Sequence, residues 1–543
     1  MNRRSGHGFL AVYNCFQYSV HTFNFSNMMR TIAITILILF SSYHSIYCQN
    51  INISEGFVFD GEPYLAVNPS DNQHLIIAWM GFELSNNIAI QIRTSMNGGT
   101  TWSPAIFLPH SLSGNTSADP FVGFDSEGHA YITYIDYQPD ASQGAVFMVH
   151  SEDGGLTWSD PVSIIDVDAD PGEFPVDRPW TAIDRTGGIY DGYIYVCTKP
   201  APWEPAPNEA YFLRSTDMGA TWETWQYIDT PGFSIGNAIQ GPMAVPAVQQ
   251  DGSLYIVYPA WEPAENLLPR FVLAKSTDGG ATFSYTEMLE SGESISDTLP
   301  KLGYNIQSDP SDAQHLSFLF IAPGVGDQDV FILDTYDGGV TWSAPYRVNQ
   351  DPEGNGIMQD LIWGAYNAEG DLVVTWRDRN AGGTAGYETP TEILASIRRS
   401  GETAFSPAIS LSDAIAPHAP VLNGNGNDFM CAAFVADTIY AAWGDVRSGM
   451  LNIWFTKTAP DATLVVQLNA ANNLLVTPNP AVAGTLLQTD IVAGSYQLYD
   501  IKGRLIFSGD VAIGIPTNGL TPGNYILQIK QEGTLQQATL VIQ

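Results

Sequence analysis

Basic residues are scarce. Only 21 Lys and Arg stand against 57 Asp and Glu in 543 residues, a formal charge of −36. So few cations cannot neutralise phosphates, which excludes nucleic acid as a partner. The charge suits a protein working in extracellular solution, and leaves a functional acidic field open. Cysteine is scarcer still, four in all, and only Cys197 and Cys431 lie beyond residue 48. They fall on strands of non-adjacent repeats, so two buried thiols are expected rather than a disulfide. Long apolar runs are missing too. Met28–Cys48 carries one Arg, an apolar core from Ile32 to Phe40 and a polar end. That is the pattern of a secretory signal and too short for a membrane span. A signal starting at Met28 or Met29 is complete, so the first 27 residues read as an over-long start. Ser-Ile-Tyr before Cys48 makes a poor lipid-anchor site. No Gly-rich phosphate loop, zinc spacing or nucleophile-elbow motif stands out.

What the chain has in quantity is a repeated turn. SEDGGLTW (Ser151–Trp158) recurs as SMNGGTTW from Ser95, STDMGATW from Ser215, STDGGATF from Ser276 and TYDGGVTW from Thr335. Successive copies start 56, 64, 61 and 59 residues apart. Constant chemistry at a near-fixed period marks one supersecondary unit repeated. In each copy Asn97, Asp153, Asp217, Asp278 or Asp337 can accept backbone N–H bonds, glycine supplies a positive φ, and the aromatic can pack between units. Each unit reads as four strands with this turn between the third and fourth. A sixth unit, from Asp360, ends in a decayed copy, RRSGETAF (Arg398–Phe405), and a seventh, from Asp428, has none.

The five turns resemble the Asp box of BNR-repeat β-propellers, best known from sialidases. The resemblance implies an all-β propeller over residues 49–460, with seven blades favoured and six as the alternative. After Pro460 the composition shifts. Pro478-Asn479-Pro480, Leu498-Tyr499-Asp500 with Gly503, and Gly523-Asn524-Tyr525 resemble the C-terminal sorting domain of type IX (Por) secretion, a small β-sandwich. Gln537 departs from that pattern, where Lys is frequent. The expected organisation is an extension and signal peptide (1–48), the propeller, a linker (461–473) and the sorting domain (474–543). It implies a secreted or surface protein exported through the periplasm by that machinery, with no transmembrane segment in the mature chain.

In a propeller the first strand of each blade lines the central channel, and its start shares a face with the loop between the second and third strands. The Asp box falls on the opposite face, so its residues read as architecture. Aligning the first strands places Glu62, Asp119, Arg178, Gly241, Asp360 and Asp428 at equivalent positions, with Gly303 in the fifth unit. Four carboxylates around one mouth raise one another's pKa unless a cation compensates. Three readings are open: a Ca²⁺ site of hard oxygen ligands, catalytic acids for glycoside cleavage, or groups that hydrogen-bond strand starts. On the same face Trp203-Glu204 and Trp261-Glu262 pair an aromatic with a carboxylate, and Arg377, Arg379 and Arg447 sit on matching loops. Together with Arg178 these are candidates to bind a sugar, or simply rigid loops covering the blades.

Against the sialidase pattern the first blade reads GEPYLAV, without the Arg-Ile-Pro arginine, and no Tyr nucleophile is assignable. The expectation is therefore an exported propeller that binds, and possibly hydrolyses, extracellular glycans. The alternative is a non-catalytic adhesion or glycan-binding propeller.

Overall fold

The computed structural model describes residues 50–82, 87–140, 142–205, 207, 209–239, 241–290, 303–323, 326–382, 386–422, 427–460, 474, 476–489, 491–500, 505–531 and 534–543. The expected extension and signal peptide (1–48) and the expected linker (461–473) lie outside them. No helix among the described residues is long and apolar enough to cross a membrane.

Seven four-stranded antiparallel sheets follow one another. Their first strands are Asp60–Asn68, Thr116–Phe124, Asp177–Ile183, Val245–Val248, Tyr304–Ser308, Gln359–Tyr366 and Cys431–Val435. Each first strand contacts the next, and Cys431–Val435 returns to Asp60–Asn68, which closes a ring of blades. The ring is tied by the chain's own start, because Ile51–Asn52 pairs with Asn452–Thr458 as the outer strand of the seventh blade. The core lies between blades: alternate residues on each strand face opposite neighbours, and clusters such as Leu319, Ile332, Ile362, Val374 and Trp376 fill the gaps. Cys197 and Cys431 are buried free thiols.

In the first five blades the Asp box fastens the blade to the one before. In the second blade the Ser151 hydroxyl accepts from Gly155 N–H at 2.8 Å and donates to Asp153 Oδ1 at 2.8 Å. Asp153 in turn accepts from Leu156 N–H, Thr157 N–H and Thr157 Oγ1, the last at 2.6 Å. These Thr157 bonds pull its carboxyl down to about 2. Gly155 holds φ +82° with its Cα against Ile76 and Thr94 of the first blade, so a Cβ there would be both strained and crowded. The aromatics pack as the repeats imply, with Trp102 on Phe455 at 5.1 Å and Phe283 on Phe212 at 5.1 Å.

Burial ranks the two acceptors. Ser151 and Gly155 are buried, whereas Asp153 is exposed and water can replace it. Ser151→Ala strands a buried N–H and should cost about 1–3 kcal/mol. Asp153→Ala should cost less, and urea melts of the two variants check the order.

The sixth blade lacks a working box and uses an ion pair instead. Arg398 pairs with Leu372 at the strand position where the second blade's Ser151 pairs with Ala130. It reaches back to the fifth blade and grips Asp334 through both terminal nitrogens, at 2.5 and 2.7 Å.

The C-terminal module, described by itself, has two antiparallel sheets. One runs Leu505–Asp510, Ser495–Asp500, Gly523–Gln531, Thr534–Ile542; the other joins Val476–Thr477, Leu486–Thr489 and Ile515–Pro516. They share a core that includes Leu487, Leu498, Ile515, Leu527 and Leu540.

Candidate functional site

Four first strands carry a bulge near their start, and the bulge aims one side chain at the channel mouth. Pairing slips between Gly61 and Tyr64, Ala118 and Phe121, Asp177 and Trp180, and Asp360 and Trp363. The residues thrown into positive φ are Glu62 (53°), Asp119 (53°), Arg178 (46°) and Leu361 (51°); Gly241, before Pro242, holds 66° in the fourth blade. A left-handed conformation costs a non-glycine residue about 1–2 kcal/mol. Three successive blades accept that cost to place a charged group where the fourth has glycine.

This register corrects the expected ring. Asp360 matches Asp177, one residue before the bulge, and Leu361 takes the ring position. A slip of one residue sends the side chain elsewhere. Asp360 is clamped by Arg377 at 2.7 and 2.6 Å and by Arg379 at 3.0 Å. Burial alone would raise its pKa, but the two arginines hold it well below the usual carboxylate range. Asp177 pairs likewise with Lys199 at 2.5 Å. There burial outweighs the lysine, and Asp119 adds to it, so the Asp177 carboxyl rises to about 6.

The remaining ring is compact. Glu62 is 2% exposed, and its Oε2 is buried without a hydrogen-bond partner. Burial, then contact with the Asp119 carboxyl and the charge of Asp428, pushes its pKa well up against the opposing pull of Arg178. Asp119 Oδ2 accepts the Arg178 backbone N–H at 3.1 Å. The Arg178 guanidinium makes a short ion pair with Asp428. This ion pair links the third blade to the seventh. Among the described residues no group of three or more His, Cys, Asp or Glu side chains is arranged to hold a metal ion. The calcium reading of Glu62, Asp119, Asp360 and Asp428 therefore lacks a converged ligand set, since Asp360 belongs to the arginine clamp and Arg178 supplies the positive charge.

Below the ring the channel is filled. Tyr64 lies 4.5 Å from Phe121 and 5.3 Å from Trp363; Trp180 stacks on Trp363 at 5.7 Å and meets Phe429 at 5.6 Å. Between this plug, Asp119 and Arg178 lies a cavity of about 10 Å³, room for roughly one water. The plug has a signature in the sequence: charged residue, proline, aromatic at Glu62–Tyr64, Asp119–Phe121 and Arg178–Trp180.

The loop residues separate into two kinds. Arg377 and Arg379 are 2% and 1% exposed, and Arg379 also covers the Tyr387 ring at 4.1 Å. Arg447 bonds Asp445 at 2.6 Å, Asp413 at 2.5 Å and Asn50 at 2.7 Å, and stacks on Trp454 at 4.6 Å. Trp261 braces its own loop through Leu267 O at 3.3 Å, and Glu262 caps Ala264 N–H at 3.1 Å. Trp203 differs. It is 57% exposed, with Glu204 beside it.

Residues 73–301 match a family model described as BNR repeat-like domain. Residues 475–543 match one described as Secretion system C-terminal sorting domain, which marks the chain for export to the cell surface or beyond. No curated protein matches the chain. Among solved structures it is similar to a protein of unknown function from Dyadobacter fermentans, at 13% identity over 75% of this chain and 98% of that one, TM-score 0.40. It is also similar to the leech intramolecular trans-sialidase, at 14% identity over 76% and 69%, TM-score 0.39. A third is the α-L-arabinanase of Penicillium chrysogenum, at 15% identity over 64% and 97%, TM-score 0.42.

Proposed function

We propose that the chain is an exported glycan-binding propeller whose upper-face loops, rather than its channel mouth, meet the ligand, and that it does not hydrolyse what it binds. The signal at Met28–Cys48 starts export and the C-terminal module completes it. One observation carries the reading: the mouth is closed. Glu62 is buried, Arg178 is taken up by Asp428, and the aromatics beside them leave a cavity of about 10 Å³. A sugar ring needs a pocket tens of times larger. Arg178, Arg377, Arg379 and Arg447 are each occupied by carboxylates of the chain itself.

Hydrolysis is the second reading, favoured by Glu62. A buried carboxylic acid whose pKa is pushed well up has the makings of a general acid. Against it stands the contact between Glu62 and Asp119, because glycosidase carboxyl pairs stand roughly 5–10 Å apart. The secreted protein incubated with chromogenic glycosides and mixed polysaccharides should retain ligand in binding assays and release no sugar. Sugar release that Glu62→Gln abolishes would replace binding with hydrolysis.

A further inference from the structure

Trp203 stands on a stretch stiffened by Pro200, Pro202, Pro205 and Pro207. Its ring rests on Phe174 at 5.9 Å and Tyr137 at 6.2 Å. Main-chain bonds fix the height of the loop: Ala201 N–H donates to Phe174 O at 2.8 Å, and Glu204 N–H to Ala201 O at 3.0 Å. The indole is thus a flat apolar plate, backed by aromatics and open on top, that loses little freedom when something lies on it. Trp261, its counterpart one blade on, is spent on bracing its own loop.

The plate is rimmed by one sign of charge. Glu204 adjoins Trp203 and Glu173 adjoins Phe174, and Asp170 and Glu209 lie close enough to Glu173 for their charges to act on it. Tyr211 OH donates to Asp170 at 3.0 Å, so that carboxylate is held in place. Burial raises the Glu173 carboxyl, with Asp170, Glu204 and Glu209 adding to the rise and no cation opposing it. Its Oε2 is buried without a partner. An aromatic plate takes the C–H face of a pyranose. Carboxylates beside it accept bonds from hydroxyls, but repel a sugar acid.

We propose that Trp203 is the platform of a glycan subsite selective for sugars without acidic groups. The proposal rests on the glycan-binding reading above and names its ligand class. The class runs opposite to what a sialidase-like propeller would suggest, and the rim of carboxylates is the reason.

The test uses the full secreted chain, with immobilised neutral β-glucan, chitosan and hyaluronan as probes. The β-glucan and chitosan should bind, and hyaluronan should not at low salt. Trp203→Ala should weaken β-glucan binding by about tenfold or more, as loss of an exposed aromatic anchor does. Trp203→Phe should recover much of it, and both variants should melt with the wild type because the ring is mostly exposed. Weak hyaluronan binding should improve at high salt, which screens the rim, while β-glucan binding stays level. Hyaluronan binding as tight as β-glucan would overturn the charge selectivity. Full β-glucan binding by Trp203→Ala would overturn the platform yet leave glycan binding standing. Binding to none of the three would overturn both the subsite and the function it rests on.

Discussion

Arg398→Ala is expected to destabilise the propeller by about 3–5 kcal/mol, the usual cost of leaving one partner of a buried ion pair alone. Arg398 holds in the sixth blade the strand position that Ser151 holds in the second, and it fastens its blade to the fifth with charge. Its partner Asp334 also accepts from Ser317 at 2.5 Å and faces His315 Nε2 at 3.1 Å, while His315 Nδ1 meets Asp309 at 2.8 Å. Burial alone would raise Asp334 and lower His315. Arg398 and His315 instead pull the carboxyl down, and Asp309 and Asp334 pull the imidazole up.

The two shifts act at opposite ends of the pH scale. Asp334 contributes stability above its unfolded value near 3.8, lost as pH falls through the folded one. His315 contributes stability below its unfolded value near 6.5, lost as pH rises through the folded one. Arg398→Ala should therefore lower the melting temperature most between those limits. Arg398→Lys should not restore it, because a single ammonium cannot replace the two-pronged grip. Thermal melts across pH 4 to 8 check both statements; a melt within a degree of wild type would remove the ion pair from the account of blade closure.

The second large effect belongs to the mouth. The folded-state pKa of Glu62 lies well above the 4.5 of the free side chain. A carboxyl raised by folding contributes stability below its unfolded pKa, and that stability is lost as pH rises through the folded one. Asp177, raised from 3.8 to about 6, acts in the same direction over that lower window. Glu62→Gln keeps the shape and removes the titration. It should melt with the wild type at pH 5 and progressively above it as pH increases. Arg178→Ala should do the reverse, since Glu62, Asp119 and Asp428 then lose the guanidinium that faces them all, and the loss should grow with pH. If Glu62→Gln melts below wild type throughout, the carboxyl is holding the strand start, and the strained bulge exists for the fold.

Strand periodicity and the five boxes made the blades legible, and the order of antiparallel strands put boxes and strand starts on opposite faces. Glu62, Asp119 and Arg178 were legible as a ring because each precedes a proline. The position of Asp360 was not. Its blade puts Leu361-Ile362 where the first three put a charged residue and proline, so nothing in the sequence marks the bulge, and the nearest charge, Asp360, lies one residue before the ring position. The arginines at 377, 379 and 447 read as free recognition groups because a sequence names charges but not their partners. Here Asp360, Asp413 and Asp445, distant or adjacent in the chain, claim them. Trp203 and Trp261 looked alike, and only burial and hydrogen bonding set one free and turned the other inward.

The central claim is that ligand is held by the loops and not by the closed mouth. A binding isotherm of β-glucan to Glu62→Gln beside wild type at neutral pH tests it most directly. The account predicts one curve for both proteins. A lost or weakened isotherm, with the variant still folded, would put the ligand in the mouth and contradict it.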